Sequence, residues 1–193
     1  MTVKVIKNVQ IALFSPPAIW TPQQYNNDGK PKYRAYFLMA PDSEAKQVVE
    51  AAIRETAAAS PWASKAKEHL AAAKASGKIC LVDGDTKAYA GFPGNWALTA
   101  IRDPGRDPGA PVIVDRDGKT PIKENQGRIF SGCFVNAKVG FYAQNNVHGK
   151  TVRCTLIAVQ YVKDGESFGG AAPASGEGLD DLGFVEDIDD QPF

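Results

Sequence analysis

The side chains in this chain that could do chemistry are flat rings with cations between them. Trp20, Tyr25, Tyr33, Arg34, Tyr36, Trp96, Arg102, Phe134, Lys138 and Tyr142 mix the two types along segments that read as strands and loops. Every nucleobase has a π-face, so a ring stacks on any base, at ~1–3 kcal/mol per base, while lysine and arginine neutralise phosphates. Lys30, Lys32, Arg116 and Arg128 complete the candidate set with further charge. A ring is also ordinary core material, and core packing is the competing reading for each of them. Trp20 and Tyr25 favour binding most, because they fall in a polar loop where little core is available.

A second candidate lies at the other end of the chain. Residues 177–193 read EGLDDLGFVEDIDDQPF, with seven acids and no base. They follow a Gly/Ala/Ser/Pro run, residues 169–176, which reads as a flexible linker. An acidic segment on such a tether is usually an interaction device. Its end sets Asp187, Asp189 and Asp190 beside Pro192 and Phe193, a ring and a terminal carboxylate that a partner can capture together. The chain is neutral overall, with 22 basic and 22 acidic residues, but all the bases lie at or before Lys163. Setting the tail's 7 acids aside leaves 15 against 22, so the body is about +7 (22 − 15). A basic body carrying an acidic tail suggests a polyanionic partner and a built-in competitor for it.

Other chemistries find less support. Cys80, Cys133 and Cys154 show no paired spacing, which argues against a disulfide framework and a zinc site. Asp115-Arg116-Asp117-Gly118 opens like a calcium loop, but Lys119 and Gln126 stand where ligands are needed, so a hairpin turn is expected. Asp83-Gly84-Asp85 reads as a turn as well, and His69 and His148 have no ligand-spaced neighbours. No nucleophile elbow or P-loop is present. We expect no cofactor, no metal and no catalysis. No signal-peptide h-region and no run near the ~20 apolar residues of a membrane helix is seen, so a cytoplasmic protein is expected.

The elements that must position these residues are mostly strands. Residues 2–14 and 32–40 read as the first two. A helical pair over about 42–76 interrupts them, capped by Asp42 or Ser43, restarted at Ser60-Pro61 and stopped at Gly77, with Ala45, Val48, Val49, Ala52 and Ile53 as its apolar stripe. Short strands follow at 78–82, 95–102 and 111–115, the second with Trp96, Leu98, Ala100 and Arg102 on one face. The strongest strand signal is 128–144. One face carries Cys133, Val135, Ala137, Val139 and Phe141, and the other Phe134, Asn136, Lys138, Gly140 and Tyr142. A hairpin at Asn145–Gly149 leads to a returning strand at 151–162. Five or more strands with one helical insertion suit a mainly β fold, a five-stranded antiparallel OB barrel. Residues 1–168 would be that domain and 169–193 the linker and tail.

The end of the chain, EDIDDQPF, resembles the acidic, Pro-Phe-ending tail of bacterial single-stranded DNA-binding proteins. The body resembles the single-stranded DNA-binding proteins of tailed phages, themselves similar to the helix-destabilising OB-fold proteins of podophages. The stretches that carry the likeness are WTPQQYNNDGKPKYRAYFLM, DGDTKAYAGFPGNWALTA, PVIVDRDGKTPI, GRIFSGCFVNAKVGFYAQNN and VQYVKDGESFGG. The resemblance implies a protein of the bacterial host's cytoplasm that coats single-stranded DNA in phage replication, recombination or repair. It implies partner proteins reached through the tail, with a homodimer left open. Two rival readings stay beside it: a protein-interaction module that never touches nucleic acid, and a metal-dependent nuclease.

Overall fold

The computed structural model describes residues 1–25, 28–147 and 149–168, and for Tyr25 and Asp28 the backbone alone. The expectations for the linker, for the tail with Asp187, Asp189, Asp190, Pro192 and Phe193, and for His148 lie outside the described residues.

Among the described residues, ten strands and α-helices follow one another: β1 (Thr2–Ala12), β2 (Gln23–Tyr25), β3 (Asp28–Met39), α1 (Glu44–Ala58), α2 (Ala66–Ala75), β4 (Leu81–Asp83), β5 (Trp96–Arg102), β6 (Val112–Val114), β7 (Phe134–Asn146) and β8 (Gly149–Lys163). The eight strands form one sheet in the order β4-β5-β3-β1-β7-β8-β6, with β2 paired to the start of β3. The mainly β fold with a helical insertion is as expected. Its sheet is larger than five strands and is not closed into a barrel. β6 runs parallel to β8, so the pairing is not purely antiparallel. Among the described residues β5 and β8 are not paired, and Arg102 Nη1 donates to the Leu156 carbonyl across this open seam at 3.3 Å.

Alternation along the strands decides the core. Cys133, Val135, Ala137, Val139 and Phe141 are all fully buried, and so are Ala35, Phe37, Leu98 and Ala100 on the facing strands. α1 closes one side of this core with Ala45, Val49, Ala52, Ile53 and Ala57, and α2 adds Ala73. Ser43 caps α1 by accepting the Lys46 amide at 3.3 Å. Ser60 and Pro61 do not start α2, which begins at Ala66. The Ser60 hydroxyl instead donates to the Ala57 carbonyl at 2.7 Å and helps end α1. Gly77, at φ +65°, stops α2 as expected.

A second, smaller core lies on the opposite face of the sheet. Ala12, Leu38, Phe92 and Ala97 are buried there, with Tyr36, Val82 and Phe168 packed against them. Its cover is the loop between β4 and β5.

Candidate nucleic-acid interface

That loop is tied to itself at every turn. The Asp83 carboxylate accepts the Asp85 amide at 3.0 Å, and the Asp85 carboxylate accepts the Gly94 amide at 2.6 Å. The Gly84 amide donates to the Asn95 carbonyl at 2.8 Å, and Asn95 Nδ2 reaches the Gly91 carbonyl at 3.0 Å. A Cβ on Gly84 would run into the Phe92 and Asn95 carbonyls, so only glycine lets the loop fold back this far. The result is a rigid arch that presents Tyr89 and Phe92.

These two rings meet Phe14, from the chain leaving β1, and Tyr36, from the middle of β3. Phe14 lies 5.0 Å from Tyr36, 4.7 Å from Tyr89 and 6.3 Å from Phe92 between ring centroids. Tyr36 and Tyr89 each pack edge-on to Phe92, at 5.8 and 5.4 Å. Phe92 is buried, but Phe14 keeps 40% and Tyr89 47% of its surface exposed. A cluster of rings left half in water marks a binding surface rather than a core. Phe14, Tyr36 and Tyr89 line a cleft of about 410 Å³ whose polar walls are Gln23, Gln24, Lys32 and Arg34.

Register explains the grouping. Ala35 and Phe37 point into the main core, so Lys32, Arg34 and Tyr36 point the other way. Arg34 and Tyr36 pair with Ile101 and Thr99 on β5. Counting the five long strands β1, β3, β5, β7 and β8 as those of an OB sheet, β3 and β5 are the second and third. Their outer face, flanked by the loops after the first and fourth strands, is where OB folds bind oligonucleotides.

Lys32 also lines a second cleft, of about 240 Å³, at the open seam. Thr99 and Ile101 from β5, Asp103 and Arg106 from the loop beyond it, Tyr142 and Gln144 from β7, and Arg153 and Cys154 from β8 form its walls with Cys80. The Arg106 guanidinium lies 4.1 Å from the Tyr142 ring centroid. Arg153 Nε donates to Gln144 Oε1 at 2.9 Å. The Asp103 carboxyl is held below its ordinary value by the Gly105 amide and by Lys32. Asp107 is held down chiefly by hydrogen bonds from Arg106.

Of the fourteen residues proposed from sequence, Tyr25 is described by its backbone alone, so its expectation lies outside the described side chains, and the other thirteen divide. Lys32, Arg34 and Tyr36 meet at the ring cleft, and Lys32 and Tyr142 at the seam. Arg102 stands behind the seam, with its guanidinium donating to the Pro108 and Gly109 carbonyls at 2.8 Å each, which pins the next loop. Tyr33, half-buried, pairs with Arg102, and Lys30 is exposed further along β3. Trp96 lies apart, half-buried under the helical pair, with Lys46 and Lys74 over its ring at 4.8 and 5.0 Å. Trp20 sits in an apolar groove with Ile19, Pro111, Val112 and Ile122. Phe134 carries Lys163 on its ring at 4.7 Å, and Lys138 is exposed across β1 from β3. Arg128 is ion-paired to Asp115 at 2.6 Å near the β6 edge. Arg116 is exposed in the adjoining turn, where Asp117 takes the Lys119 and Thr120 amides. Phe14, Tyr89, Arg106 and Arg153 were missed. Tyr89 within the glycine-rich run AYAGFPGNW was the one available signal, since an aromatic in a turn-rich loop has little core to enter.

The family model described as Enterobacter phage Enc34, ssDNA-binding protein, matches residues 3–190. Protein p50 of Acyrthosiphon pisum secondary endosymbiont phage 1 is 35% identical over 186 residues, which is 94% of this chain and 95% of that one. The structure is similar to the single-stranded DNA-binding protein of bacteriophage Enc34 in complex with ssDNA, with a TM-score of 0.64 at 22% identity over 86% of this chain and 89% of the other. It is also similar to gp2.5, a single-stranded DNA binding protein encoded by bacteriophage T7, with a TM-score of 0.54 at 14% identity over 96% and 98%. At these identities the structural likeness is one of fold.

Proposed function

This chain belongs to the Enterobacter phage Enc34 ssDNA-binding protein family, and from that premise we propose that it binds single-stranded DNA without regard to sequence, through the outer face of β3 and β5. The observation that carries the placement is the ring cluster, where Phe14 and Tyr89 stand half in solvent beside Lys32 and Arg34. Bases stack on the rings, and the cations follow the backbone. Because only the open strand fits, binding pulls the duplex–single strand equilibrium toward the open form by mass action. Coating, protection and unwinding need no bond to be made or broken, and the protein acts as a binding protein and not as an enzyme.

The acidic segment 177–193 acts in this reading as both competitor and recruiter, as its charge suggests. The last described residue, Phe168, packs against the second core, as does Tyr36 of the ring cleft. A short tether there holds the tail at an effective concentration in the mM range. DNA in the cleft frees Asp187, Asp189, Asp190, Pro192 and Phe193 for replication or recombination proteins in the host cytoplasm. No helix among the described residues is long and apolar enough to cross a membrane.

The test is a titration of labelled oligo-dT with the intact protein and with Phe14→Ala and Tyr89→Ala. Weaker binding by variants that melt like the parent supports the placement. Full affinity in both rejects it.

A further inference from the structure

The loop after β5 reads Asp103-Pro104-Gly105-Arg106-Asp107-Pro108-Gly109, two Asp-Pro-Gly triplets around one arginine. Both aspartates face the seam cleft's cations. Asp103 Oδ2 lies 3.3 Å from Lys32 Nζ. Asp107 Oδ2 accepts from Arg106 Nε at 3.1 Å and Nη2 at 2.8 Å, and from the Thr155 hydroxyl at 2.9 Å. Arg106 in turn covers the Tyr142 ring. One loop thus masks two cations and one ring face, the set of groups that a nucleotide would use.

Asp103 Oδ1 serves the turn by accepting the Gly105 amide, which leaves Oδ2 to face Lys32, while Asp107 Oδ2 faces Arg106 and Thr155. Phosphate and carboxylate make the same charge-assisted hydrogen bonds to lysine and arginine. Exchanging one for the other leaves Lys32 and Arg106 each paired with an anion before and after.

We propose that the seam cleft is a second nucleotide subsite, in which Asp103 and Asp107 hold the places of two phosphates and Arg106 the place of a base on Tyr142, until a strand displaces them. The inference rests on the ssDNA reading above and extends it. Lys32, shared by both clefts, joins the subsite to the ring cluster.

The experiment uses the full chain and two oligo-dT probes, one of about four nucleotides to fill the ring cleft and one of about twelve to reach the seam. Asp103→Asn removes the charge but keeps an oxygen for the Gly105 amide, which Asp103 Oδ1 accepts at 3.0 Å. It should tighten binding of the longer probe roughly two- to fivefold, the worth of one exposed ion pair. It should also steepen the salt dependence by up to ~0.7 in slope, because Lys32 then carries a salt counterion that the phosphate releases. The gain should vanish in a Lys32→Gln background, and Tyr142→Leu should weaken only the longer probe. A gain that survives in Lys32→Gln would mean a general charge effect and overturn the proposal. So would equal losses of the two probes in Tyr142→Leu, or weaker binding by Asp103→Asn. If the parent protein binds neither probe, the ssDNA reading falls and takes the subsite with it. If the parent binds both while Asp103→Asn and Tyr142→Leu are inert, the subsite alone falls.

Discussion

Phe14 stands edge-on to Tyr36 with 5.0 Å between their centroids, one ring just past the end of β1 and the other in the middle of β3. Edge-to-face pairs are favourable beyond the area that they bury. Here the pair also leaves the outer side of Phe14 open to solvent, so one contact holds the ring in place and keeps it available. Tyr89 completes the arrangement from a loop with no sequence relation to either.

Removing an exposed ring should cost binding and little else. Phe14→Ala or Tyr89→Ala should weaken oligo-dT binding by roughly five- to 150-fold, the ~1–3 kcal/mol of one stacked base. Tyr36→Ala should also lower the melting temperature, because Tyr36 packs against the second core. Parallel fluorescence anisotropy and thermal melts separate the two effects. Loss of stability without loss of affinity in the Phe14 variant would place that ring in the fold and not in the site.

Gly84→Ala should act at a distance. The added methyl collides with the Phe92 and Asn95 carbonyls, and the arch that carries Tyr89 must shift. Binding of oligo-dT should fall about as far as in Tyr89→Ala, although Gly84 touches no ligand. Crystallography or amide exchange of the variant would show the loop displaced. An unmoved loop with normal affinity would contradict the role given to that glycine.

Trp96 should behave in the opposite sense. Its ring is covered by Lys46 and Lys74 of the two helices, in a groove with Ile53, Leu70, Ile79 and Leu81. Trp96→Ala should lower stability by on the order of 2 kcal/mol, less than the ~3–5 kcal/mol of a fully buried ring. DNA affinity measured well below the melting temperature should stay within a factor of two. A large, selective loss of affinity would return Trp96 to the interface.

These cases show what was legible in the sequence. Period-two alternation identified Cys133 and, in β7, Val135, Ala137, Val139 and Phe141 as the core face, because a strand's two faces follow from geometry alone. It could not say what lies over each end of a strand. Trp96 and Arg102 share the inner face of β5 with Leu98 and Ala100, but register sets Trp96 opposite Met39, under the helices, and Arg102 opposite Tyr33, beside the loop that it pins. Phe14 and Tyr89 were illegible for the converse reason. Phe14 closes the segment read as the first strand, which ends at Ala12, Tyr89 sits in no strand, and only the folded loop 84–95 brings them together. The helical insertion was found by its stripe, but the second helix begins at Ala66, since the Ser60 hydroxyl serves the end of α1.

The cysteines give a pH prediction. Burial pushes the Cys80 thiol up to about 12 and Cys133 to about 11, from an ordinary 9.0, and raises Cys154 well above that value. A folded-state value above the unfolded one favours the folded protein fully below about pH 9, and that contribution is lost as pH climbs through 9 to 12. Denaturation midpoints should therefore be level from pH 7 to about 8.5 and fall above. Iodoacetamide at pH 8 should leave all three thiols unmodified until denaturant is added. Rapid labelling of the folded protein would show them exposed as thiolates.

The most direct test of the central claim is the salt dependence of oligo-dT binding by the parent protein and by a Phe14→Ala/Tyr89→Ala double variant. If about four phosphates are neutralised, log K should fall against log salt with a slope near −3, at ~0.7 per phosphate. The double variant should keep that slope while losing affinity at every salt concentration, because rings carry stacking and cations carry charge. A double variant with the parent's affinity, or a parent whose binding ignores salt, would contradict a strand held by rings and cations on the outer face of β3 and β5.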